Sequence, residues 1–268
     1  MNVIRNIGVD DPRVADYRNV SDAELLRRAN LYVAEGRLVV TRAIEAQHHV
    51  ASVLVNDASL VALHEPLATL PVETPIYVCD TRDFAALTGY NLHRGSVALV
   101  RRPAVRTVRD IADSGNIIVA LDSVSDADNV GSVFRNAAAF GAGSVILNSA
   151  SCDPLYRKAI RTSMGSTLKV PWTRSENWLA DLTVLKRRDF AIVALTPREP
   201  SIELDGVTNN LRGRRVVLMV GSEATGLSSE SEALADVRVR VPIRKDVDSL
   251  NVATAAAIAL YSLTRTCP

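Results

Sequence analysis

Hydrophobic residues in the second half of the chain gather in short runs that alternate with stretches of helical spacing. The runs are rich in β-branched residues and poor in charge, which is typical of parallel strands covered on both faces. They predict strands over 117–121, 144–147, 191–195, 216–220 and 237–241. The stretches between them predict helices over 130–140, 156–164, 178–187 and 250–265. Strands that alternate with helices indicate right-handed crossovers and an open parallel sheet.

The first part of the chain shows the same alternation over shorter elements. Ser21 and Glu24 have the spacing of a capping box, so a short helix is expected through Leu25 and Leu26. Strands are predicted over 31–33, 51–55, 75–79 and 97–100, and helices over 38–46, 60–70 and 84–87. The pattern therefore predicts a polar lead-in over 1–20, a compact α/β unit over 21–102, a linker over 103–109 and a second unit over 110–268.

Composition indicates a globular core but no electrostatic preference for a partner. With 47% hydrophobic and only 4% aromatic residues, the core must be packed by aliphatic side chains and alanine. The 31 basic and 30 acidic residues give a net charge of +1, so the distribution of charge matters more than its total. Basic clusters lie within 27–28, 101–109, 157–161, 186–188 and 212–215. Such a cluster is most often only a solvated face.

Cysteine and histidine usage argues against a metal site. Cys79, Cys152 and Cys267 form no C-x-x-C pair, and His48 and His49 have no further ligand at metal-binding spacing. The N-terminus lacks the apolar segment of a signal peptide, and no apolar stretch approaches the ~18 residues of a membrane span. We therefore expect a cytoplasmic protein with no metal and no membrane partner.

A ligand site is expected at one edge of the predicted sheet. Parallel α/β sheets bind ligands where the carboxyl ends of their strands meet. In this chain that edge holds the loops that follow Leu121, Leu195, Val220 and Val241. Polar residues and glycines gather in those loops, so the element pattern alone points to them.

The loop after Leu121 leads into a helix through the stretch Asn129-x-Gly131-x-x-x-Arg135. Asn129 is suited to an N-cap, and Gly131 would let another backbone approach closely. Arg135 falls in the second turn among mostly apolar neighbours, where either a functional group or an ordinary surface arginine fits. The spacing G-x-G-x-x-G is absent, which argues against a dinucleotide-binding site.

The strand over 216–220 runs into Gly-Ser-Glu-Ala-Thr-Gly-Leu at 221–227. Gly221 has no side chain, so a ligand could lie against bare backbone there. Glu223 stands at the end of the strand, either as a site residue or as a solvated loop glutamate.

The last predicted strand leads through Pro242 and Ile243 and a variable segment to Ser249-Leu250-Asn251-Val252. Ser249 is placed to cap the following helix. Asn251 is a poor residue for a helix, so its presence in the first turn indicates a hydrogen-bonding task. Small residues then permit close packing of that helix: Ala253, Ala255, Ala256, Ala257 and Ala259.

These three stretches, in this order, resemble the SpoU (TrmH-type) branch of the SPOUT methyltransferases, which methylate a ribose 2′-hydroxyl of RNA. The likeness is specific over 117–265. One departure is Ala224, where the family usually has glycine; a positive φ there would strain alanine. The resemblance implies an α/β fold whose C-terminal parallel sheet carries a deep trefoil knot, a feature otherwise nearly absent from proteins.

The resemblance also implies a cofactor and the residues that hold it. S-adenosylmethionine would bind in the knotted loops, largely through backbone groups and without a metal. The implied contacts are Leu195, Thr196, Val220, Gly221, Ser222, Val241, Ile243, Ser249 and Leu250. The implied catalytic set is Arg135, Asn129, Glu223, Ser249 and Asn251. Deprotonating an arginine at pH 7 costs roughly 7.5 kcal/mol, so we expect Arg135 to stay charged, grip a phosphate and stabilise the forming alkoxide.

The N-terminal unit resembles, more loosely, the ribosomal-protein-like RNA-binding domain found ahead of many SpoU catalytic domains. Glu35-Gly36-Arg37 is its best local match. The likeness implies an RNA substrate, ribosomal RNA ahead of tRNA, and a homodimer formed through the knotted domain. Two alternatives stay open: a SPOUT enzyme that methylates a base, and an RNA-binding or assembly factor without turnover. The missing glycine spacing disfavours a nucleotide-dependent dehydrogenase.

Overall fold

The computed structural model describes residues 1–18, 21–88, 95–211, 213–244, 246–247 and 249–264. The strands are β1 (Asn2–Ile4), β2 (Leu31–Glu35), β3 (Val50–Val55), β4 (Pro75–Val78), β5 (Ser96–Arg101), β6 (Ile117–Asp122), β7 (Ser144–Leu147), β8 (Trp172–Arg174), β9 (Phe190–Leu195), β10 (Ile202–Glu203), β11 (Arg215–Gly221) and β12 (Val237–Arg240). The α-helices are α1 (Asp22–Ala29), α2 (Arg37–Glu45), α3 (Asp57–Ala62), α4 (His64–Ala68), α5 (Thr81–Thr88), α6 (Val108–Ala112), α7 (Ala127–Ala139), α8 (Arg157–Thr162), α9 (Trp178–Arg187), α10 (Asp205–Leu211), α11 (Ser229–Leu234) and α12 (Val252–Thr264). Two 3-10 helices span Pro12–Tyr17 and Ser166–Leu168.

The chain divides into two compact units. The first holds residues 1–104 together with 155–169, and the second holds 105–154 together with 170–268. The sequence pattern placed 155–169 in the second unit. The structure groups that segment with the first unit, and its contacts there explain the difference.

Segment 155–169 is joined to α1, α2 and the turn after α2. Arg157 Nε donates to Asp22 Oδ1 at 2.7 Å, and Lys169 pairs with Glu45 at 3.1 Å. In addition, Arg42 Nη1 donates to the carbonyl of Met164. All these partners lie more than a hundred residues apart in the chain, so no local pattern could have indicated the grouping.

The first unit is built on a five-stranded mixed sheet with the order β1-β4-β3-β5-β2. Strands β1, β4 and β3 run parallel, and β5 runs antiparallel to both β3 and β2. Residues 1–20, expected as a polar lead-in, instead supply edge strand β1 and the first 3-10 helix. Tyr17 of that helix is buried and its hydroxyl bonds to Ser52 Oγ at 2.6 Å. Strand β1 is short and largely exposed, as edge strands often are, and therefore gave no hydrophobic signal.

The predicted helix over 60–70 is two helices, α3 and α4, separated at Leu63 (φ −104°, ψ 10°). Pro66 has no N–H, so it cannot donate to the carbonyl of Ala62 as a continuous helix would require. The break therefore follows from one proline that the hydrophobic spacing did not reveal.

The second unit contains a sheet of seven strands in the part of the chain that the structure describes, with the order β10-β12-β9-β11-β6-β7-β8. Every pair in it is parallel. All five strands predicted in this half are present. Strands β8 and β10 and helices α6, α10 and α11 are additional; they are short or polar, which is why hydrophobic periodicity missed them.

The central strands of this sheet are covered on both faces. In β6, Val119 and Leu121 join one hydrophobic cluster, while Ile118 and Ala120 join another. Strand β11 alternates in the same way, with Leu218 on the first cluster. This alternation is the period of two of a β-strand and confirms the prediction of buried parallel strands.

The strand order reverses beside β6 and again beside β9, which has β11 on one side and β12 on the other. From β6 the chain turns to β7 and β8 on one side, whereas β9, β11 and β12 lie on the other. Such a reversal is the usual place for a ligand in an open α/β sheet. None of the helices in the described residues is long and apolar enough to cross a membrane.

Candidate functional site

A cavity of about 290 Å³ lies at the carboxyl ends of β9, β11 and β12, and we call it the switch-point cavity. Its walls come from four chain segments: 195–198, 220–227, 240–243 and 249–255. All nine residues expected to contact the cofactor line it: Leu195, Thr196, Val220, Gly221, Ser222, Val241, Ile243, Ser249 and Leu250. The nine expected cofactor residues, spread over about 55 residues from Leu195 to Leu250, therefore converge on one space.

The sequence reasoning missed several residues of this lining, namely Pro197, Arg198, Ala224, Thr225, Gly226, Leu227, Arg240, Val252 and Ala255. Most are chain neighbours of predicted residues and could have been included on that ground. Arg198 and Arg240 have the greatest chemical interest among them, because they bring positive charge to walls that are otherwise largely apolar.

The 221–227 loop folds back onto Gly221. A Cβ at Gly221 would lie 2.2 Å from the carbonyl carbon of Gly226 and 2.3 Å from the nitrogen of Leu227. The Gly226 N–H donates to the carbonyl of Ser222 at 2.8 Å and closes the turn. The Cα of Gly221 thus packs against its own loop, while Gly221 also lines the switch-point cavity.

Ala224 causes no strain in this loop. Six non-glycine residues have a positive φ in the described structure, and Ala224 is not one of them. Ser222 Oγ accepts a hydrogen bond from the N–H of Ala224 at 3.1 Å, so the turn is stabilised by its own side chain. The departure from the family's usual glycine therefore leaves the loop geometry intact.

Asn251 joins two other residues of the expected catalytic set. Its Nδ2 donates to Asn129 Oδ1 at 2.8 Å and to Glu223 Oε1 at 2.7 Å. Its Oδ1 accepts from the N–H groups of Ala253 at 3.0 Å and Thr254 at 3.2 Å. The side chain of Asn251 therefore caps α12 and joins it by hydrogen bonds to α7 and to the 221–227 loop.

Two capping expectations were wrong. Helix α12 begins at Val252, so Asn251 and not Ser249 is its cap; Ser249 is exposed and lines the switch-point cavity. Helix α7 begins at Ala127 and is capped by Asp126 rather than by Asn129. Asn129 is therefore inside the helix, only 9% exposed, and free to accept the bond from Asn251. Residue Arg265, the expected end of α12, lies outside the described residues.

Arg135 lies on α7 but outside this network. It follows Asn129 by six residues, which at 3.6 residues per turn places the two side chains about 120° apart around the helix axis. Its side chain is exposed, and within the part of the chain that the structure describes no hydrogen bond or ion pair engages its guanidinium. The structure thus brings Asn129, Glu223 and Asn251 together and leaves Arg135 facing solvent.

A buried carboxylate holds the end of the 221–227 loop against β6. Asp122 is 2% exposed, and its Oδ2 accepts from the N–H of Ser228 at 3.0 Å, from its hydroxyl at 2.8 Å and from Ser231 Oγ at 2.7 Å. Its Oδ1 accepts from Asn148 Nδ2 at 2.8 Å. A buried charge is tolerated when it is this fully hydrogen-bonded.

The side chain of His48 makes structural hydrogen bonds in the first unit. His48 lies between the hydroxyl of Tyr32, at 2.9 Å from Nδ1, and the carbonyl of Leu168, at 3.0 Å from Nε2. Among the described residues there is no cluster of three His, Cys, Asp or Glu side chains that could hold a metal ion.

The fold and this site define a parallel α/β protein with its ligand cavity at a topological switch point. The profile of the SpoU rRNA Methylase family matches residues 116–261. An uncharacterized tRNA/rRNA methyltransferase of Mycobacterium bovis is 36% identical over 262 residues, which cover 96% of this chain and 90% of that protein. The 23S rRNA (guanosine-2′-O-)-methyltransferase RlmB of Xylella fastidiosa is 28% identical over 252 residues, 90% of this chain and 98% of that protein.

A solved structure of similar fold is also an rRNA methyltransferase. The crystal structure of an AdoMet-bound rRNA methyltransferase from Sinorhizobium meliloti matches with a TM-score of 0.84 at 25% identity, over 98% of both chains. The chain belongs to the SpoU rRNA Methylase family, as the three sequence stretches indicated. It is an RNA methyltransferase that uses S-adenosylmethionine. The dehydrogenase alternative is thereby excluded.

Proposed function

We propose that the enzyme transfers the methyl group to a ribose 2′-hydroxyl, and that its substrate is ribosomal RNA, with tRNA as the second candidate. The observation that carries the proposal is the convergence of all nine expected cofactor residues on the switch-point cavity, beside the hydrogen-bonded Asn129, Asn251 and Glu223. The RlmB relative, whose name gives a guanosine 2′-O-methyltransferase, supports ribose as the acceptor.

The switch-point cavity suits S-adenosylmethionine. Its volume of about 290 Å³ is at the lower end of the range of small-ligand pockets, about 300–1,000 Å³. Apolar walls from Leu195, Val220 and Leu250 would cover the adenine, and the loop backbones would bond its polar edge. When bound, the cofactor supplies the sulfonium methyl group. We further propose that the segments around this cavity form the deep trefoil knot; Lys245 and Asp248, between the last two of these segments, lie outside the described residues.

Arg135 is proposed to act as a permanent cation. Its exposed guanidinium can bind a phosphate through two parallel hydrogen bonds and stabilise negative charge on the attacking ribose oxygen. Asn129, Glu223, Ser249 and Asn251 would place the nucleotide. The hydrogen bonds of Asn251 support this, because they hold the beginning of α12 against α7, the helix that carries Arg135.

The first unit, including residues 21–102, is proposed to bind the RNA substrate. The second unit is proposed to form a homodimer. Exposed apolar side chains on α12 support the dimer: Ile258 is 37% and Tyr261 is 47% exposed, on a helix whose other faces are largely buried. The expected cytoplasmic location stays a prediction.

Methyl transfer by Arg135 variants tests the mechanism. With ribosomal RNA and tRNA as substrates and radiolabelled S-adenosylmethionine, Arg135→Ala is expected to reduce transfer by about 100-fold or more. Its cofactor affinity, measured by calorimetry, should stay within about twofold of wild type. Arg187→Ala is the matched control, because Arg187 is also an exposed helical arginine but lies on α9.

The position of the label separates the alternatives. A 2′-O-methyl group blocks alkaline cleavage at its nucleotide, whereas a methylated base does not. Label on a base would contradict the proposal in favour of base methylation. Cofactor binding without transfer to any RNA would favour the binding or assembly factor. Near-normal turnover of Arg135→Lys would contradict a two-bond phosphate grip, since lysine cannot form one.

A further inference from the structure

Arg198 spans the switch-point cavity from the loop after β9 to the 221–227 loop. Its Nη1 donates to the carbonyl of Leu227 at 3.1 Å, and its Nη2 donates to the carbonyl of Thr225. These partners are 29 and 27 residues away in the sequence. One guanidinium therefore joins the loops that follow the neighbouring strands β9 and β11.

The guanidinium is itself held by a buried carboxylate. Arg198 Nη1 also donates to Glu232 Oε1 at 3.3 Å, and the side chain of Glu232 is only 7% exposed. The same oxygen accepts from Thr196 Oγ1 at 3.1 Å, and that hydroxyl accepts from the N–H of Arg198 at 3.3 Å. Charge-assisted bonds of this kind are stronger than neutral ones. The arginine thus has a defined position before any ligand enters.

The bonds from Arg198 add a third contact that holds the 221–227 loop in place. The loop is closed at its beginning by the fit of Gly226 against Gly221, and its end is held by the bonds from Ser228 to Asp122. Gly226 has a φ of +70°, and a Cβ there would lie 3.3 Å from Arg198 Nη2, so the glycine lets the guanidinium pack against the loop.

We propose that Arg198 is a positioning residue for the cofactor. It holds the 221–227 loop in the conformation that receives S-adenosylmethionine, so that less ordering remains to be done when the cofactor binds. The proposal rests on the cofactor site proposed above, but it does not depend on ribose being the methyl acceptor. Lysine at this position would keep the charge without reaching two carbonyls and a carboxylate together.

The variants that test this are Arg198→Ala, Arg198→Lys and Arg238→Ala. Arg238 is the matched control, because it pairs with the same Glu232 at 3.6 Å and, in the described structure, bonds to neither loop carbonyl. The side chain of Arg198 is 49% exposed, so its truncation leaves no buried void. Two quantities are measured on the full chain: hydrogen exchange of the 222–227 amides without cofactor, and the Kd for S-adenosylmethionine by calorimetry.

The expected result is a joint change. In Arg198→Ala the loop amides should exchange about tenfold faster and the Kd should rise about tenfold, with a smaller rise for Arg198→Lys. Arg238→Ala should leave both quantities within about twofold of wild type. Equal effects of Arg198→Ala and Arg238→Ala would overturn the proposal, because they would trace the effect to Glu232 rather than to the loop.

Two further outcomes would also overturn the proposal. A higher Kd with unchanged loop exchange would show that Arg198 contacts the cofactor directly instead of holding the loop. Faster exchange with an unchanged Kd would show that the loop conformation does not govern cofactor binding. Failure of the proposed cofactor site is seen separately: S-adenosylmethionine would then fail to slow exchange of the same amides in the wild-type protein.

Discussion

Gly221 shows how strongly one residue can constrain this site. The backbone of Gly226 and Leu227 occupies the space that a side chain at 221 would need, at distances that no Cβ can adopt. Because the obstacle is backbone, no side-chain rotation can relieve it. The glycine is therefore required by the return of the loop, and the loop in turn forms one wall of the switch-point cavity.

Gly221→Ala is expected to displace the 221–227 loop. Overpacking of this kind costs about 1–3 kcal/mol of unfolding free energy, and we expect the affinity for S-adenosylmethionine to fall at least about tenfold. Denaturant unfolding and calorimetry measure the two effects. Gly206→Ala is the control, since a Cβ there meets nothing within 4 Å and α10 should gain from the better helix former. Unchanged cofactor affinity in Gly221→Ala would mean that this wall does not contact the cofactor.

Most expected site residues were predictable, and Arg198 was not. The nine expected cofactor positions were implied by the resemblance of the motifs to the SpoU family, and the hydrophobic pattern alone indicated only the loops in which they lie. The role of Arg198 depends on partners at 225, 227 and 232, and nothing in the local pattern around Arg198 indicates them. The same holds for Asn251, whose hydrogen-bonding task was expected but whose partners were not.

The capped first turns of α7 and α12 bring residues of the site together. Asn251 caps α12, and Asp126 caps α7 three residues before the buried Asn129. These caps fix where each helix begins, and hence which side chains meet between them. A shift of one residue at either helix would separate Asn129 from Asn251.

Replacement of Asn251 should combine a structural and a catalytic loss. Asn251→Ala removes the cap of α12, worth about 1 kcal/mol, and leaves Asn129 and Glu223 without their shared donor. We expect methyl transfer to fall at least about tenfold, because the nucleotide-placing groups lose their alignment.

Thr107→Ala separates these two losses. It removes an equivalent cap, the capping box of α6, far from the site along the chain. Its cost in unfolding free energy should be similar, about 1 kcal/mol, with methyl transfer unchanged. If both variants lost transfer to the same degree, helix stability and not the Asn251 contacts would be the cause.

Strong strands were predictable as elements, whereas short polar ones were not. The runs that became β6, β7, β9 and β11 are largely apolar because both faces of the sheet are covered, whereas β12 alternates valine with arginine. Helix α6 was not predicted, and its first two residues were taken as part of the linker, since its five residues are too few to show a helical period. The capping spacing of Thr107 and Asp110 was its one local signal.

On the scale of the whole molecule, α12 links the site to the proposed dimer. Its N-terminus holds Asn251, and its later turns expose Ile258 and Tyr261. The ring of Tyr261 contacts Phe140 at 6.0 Å between centroids, so the exposed patch continues to the end of α7.

Tyr261→Glu is expected to dissociate the dimer. A charge placed in a desolvated interface should raise the dimer Kd at least about tenfold, which light scattering after size exclusion measures. Leu179→Glu is the control, because Leu179 is a comparably exposed apolar side chain, at 38%, on α9. A dimer that survives both Tyr261→Glu and Ile258→Glu would have its interface elsewhere.

The sequence by itself determined the alternation of strands and helices, the edge of the sheet at which the cavity lies, and the residues of the three motifs. These are local properties, carried by side-chain period, turn residues and short spacings. Only the tertiary structure decided the strand order, the return of the 221–227 loop onto Gly221 and the place of segment 155–169 in the first unit. It also decided the hydrogen bonds of Asn251 to Asn129 and Glu223. The physical reason is distance along the chain, because each of these rests on close packing or hydrogen bonds whose partners become neighbours only when the chain has folded.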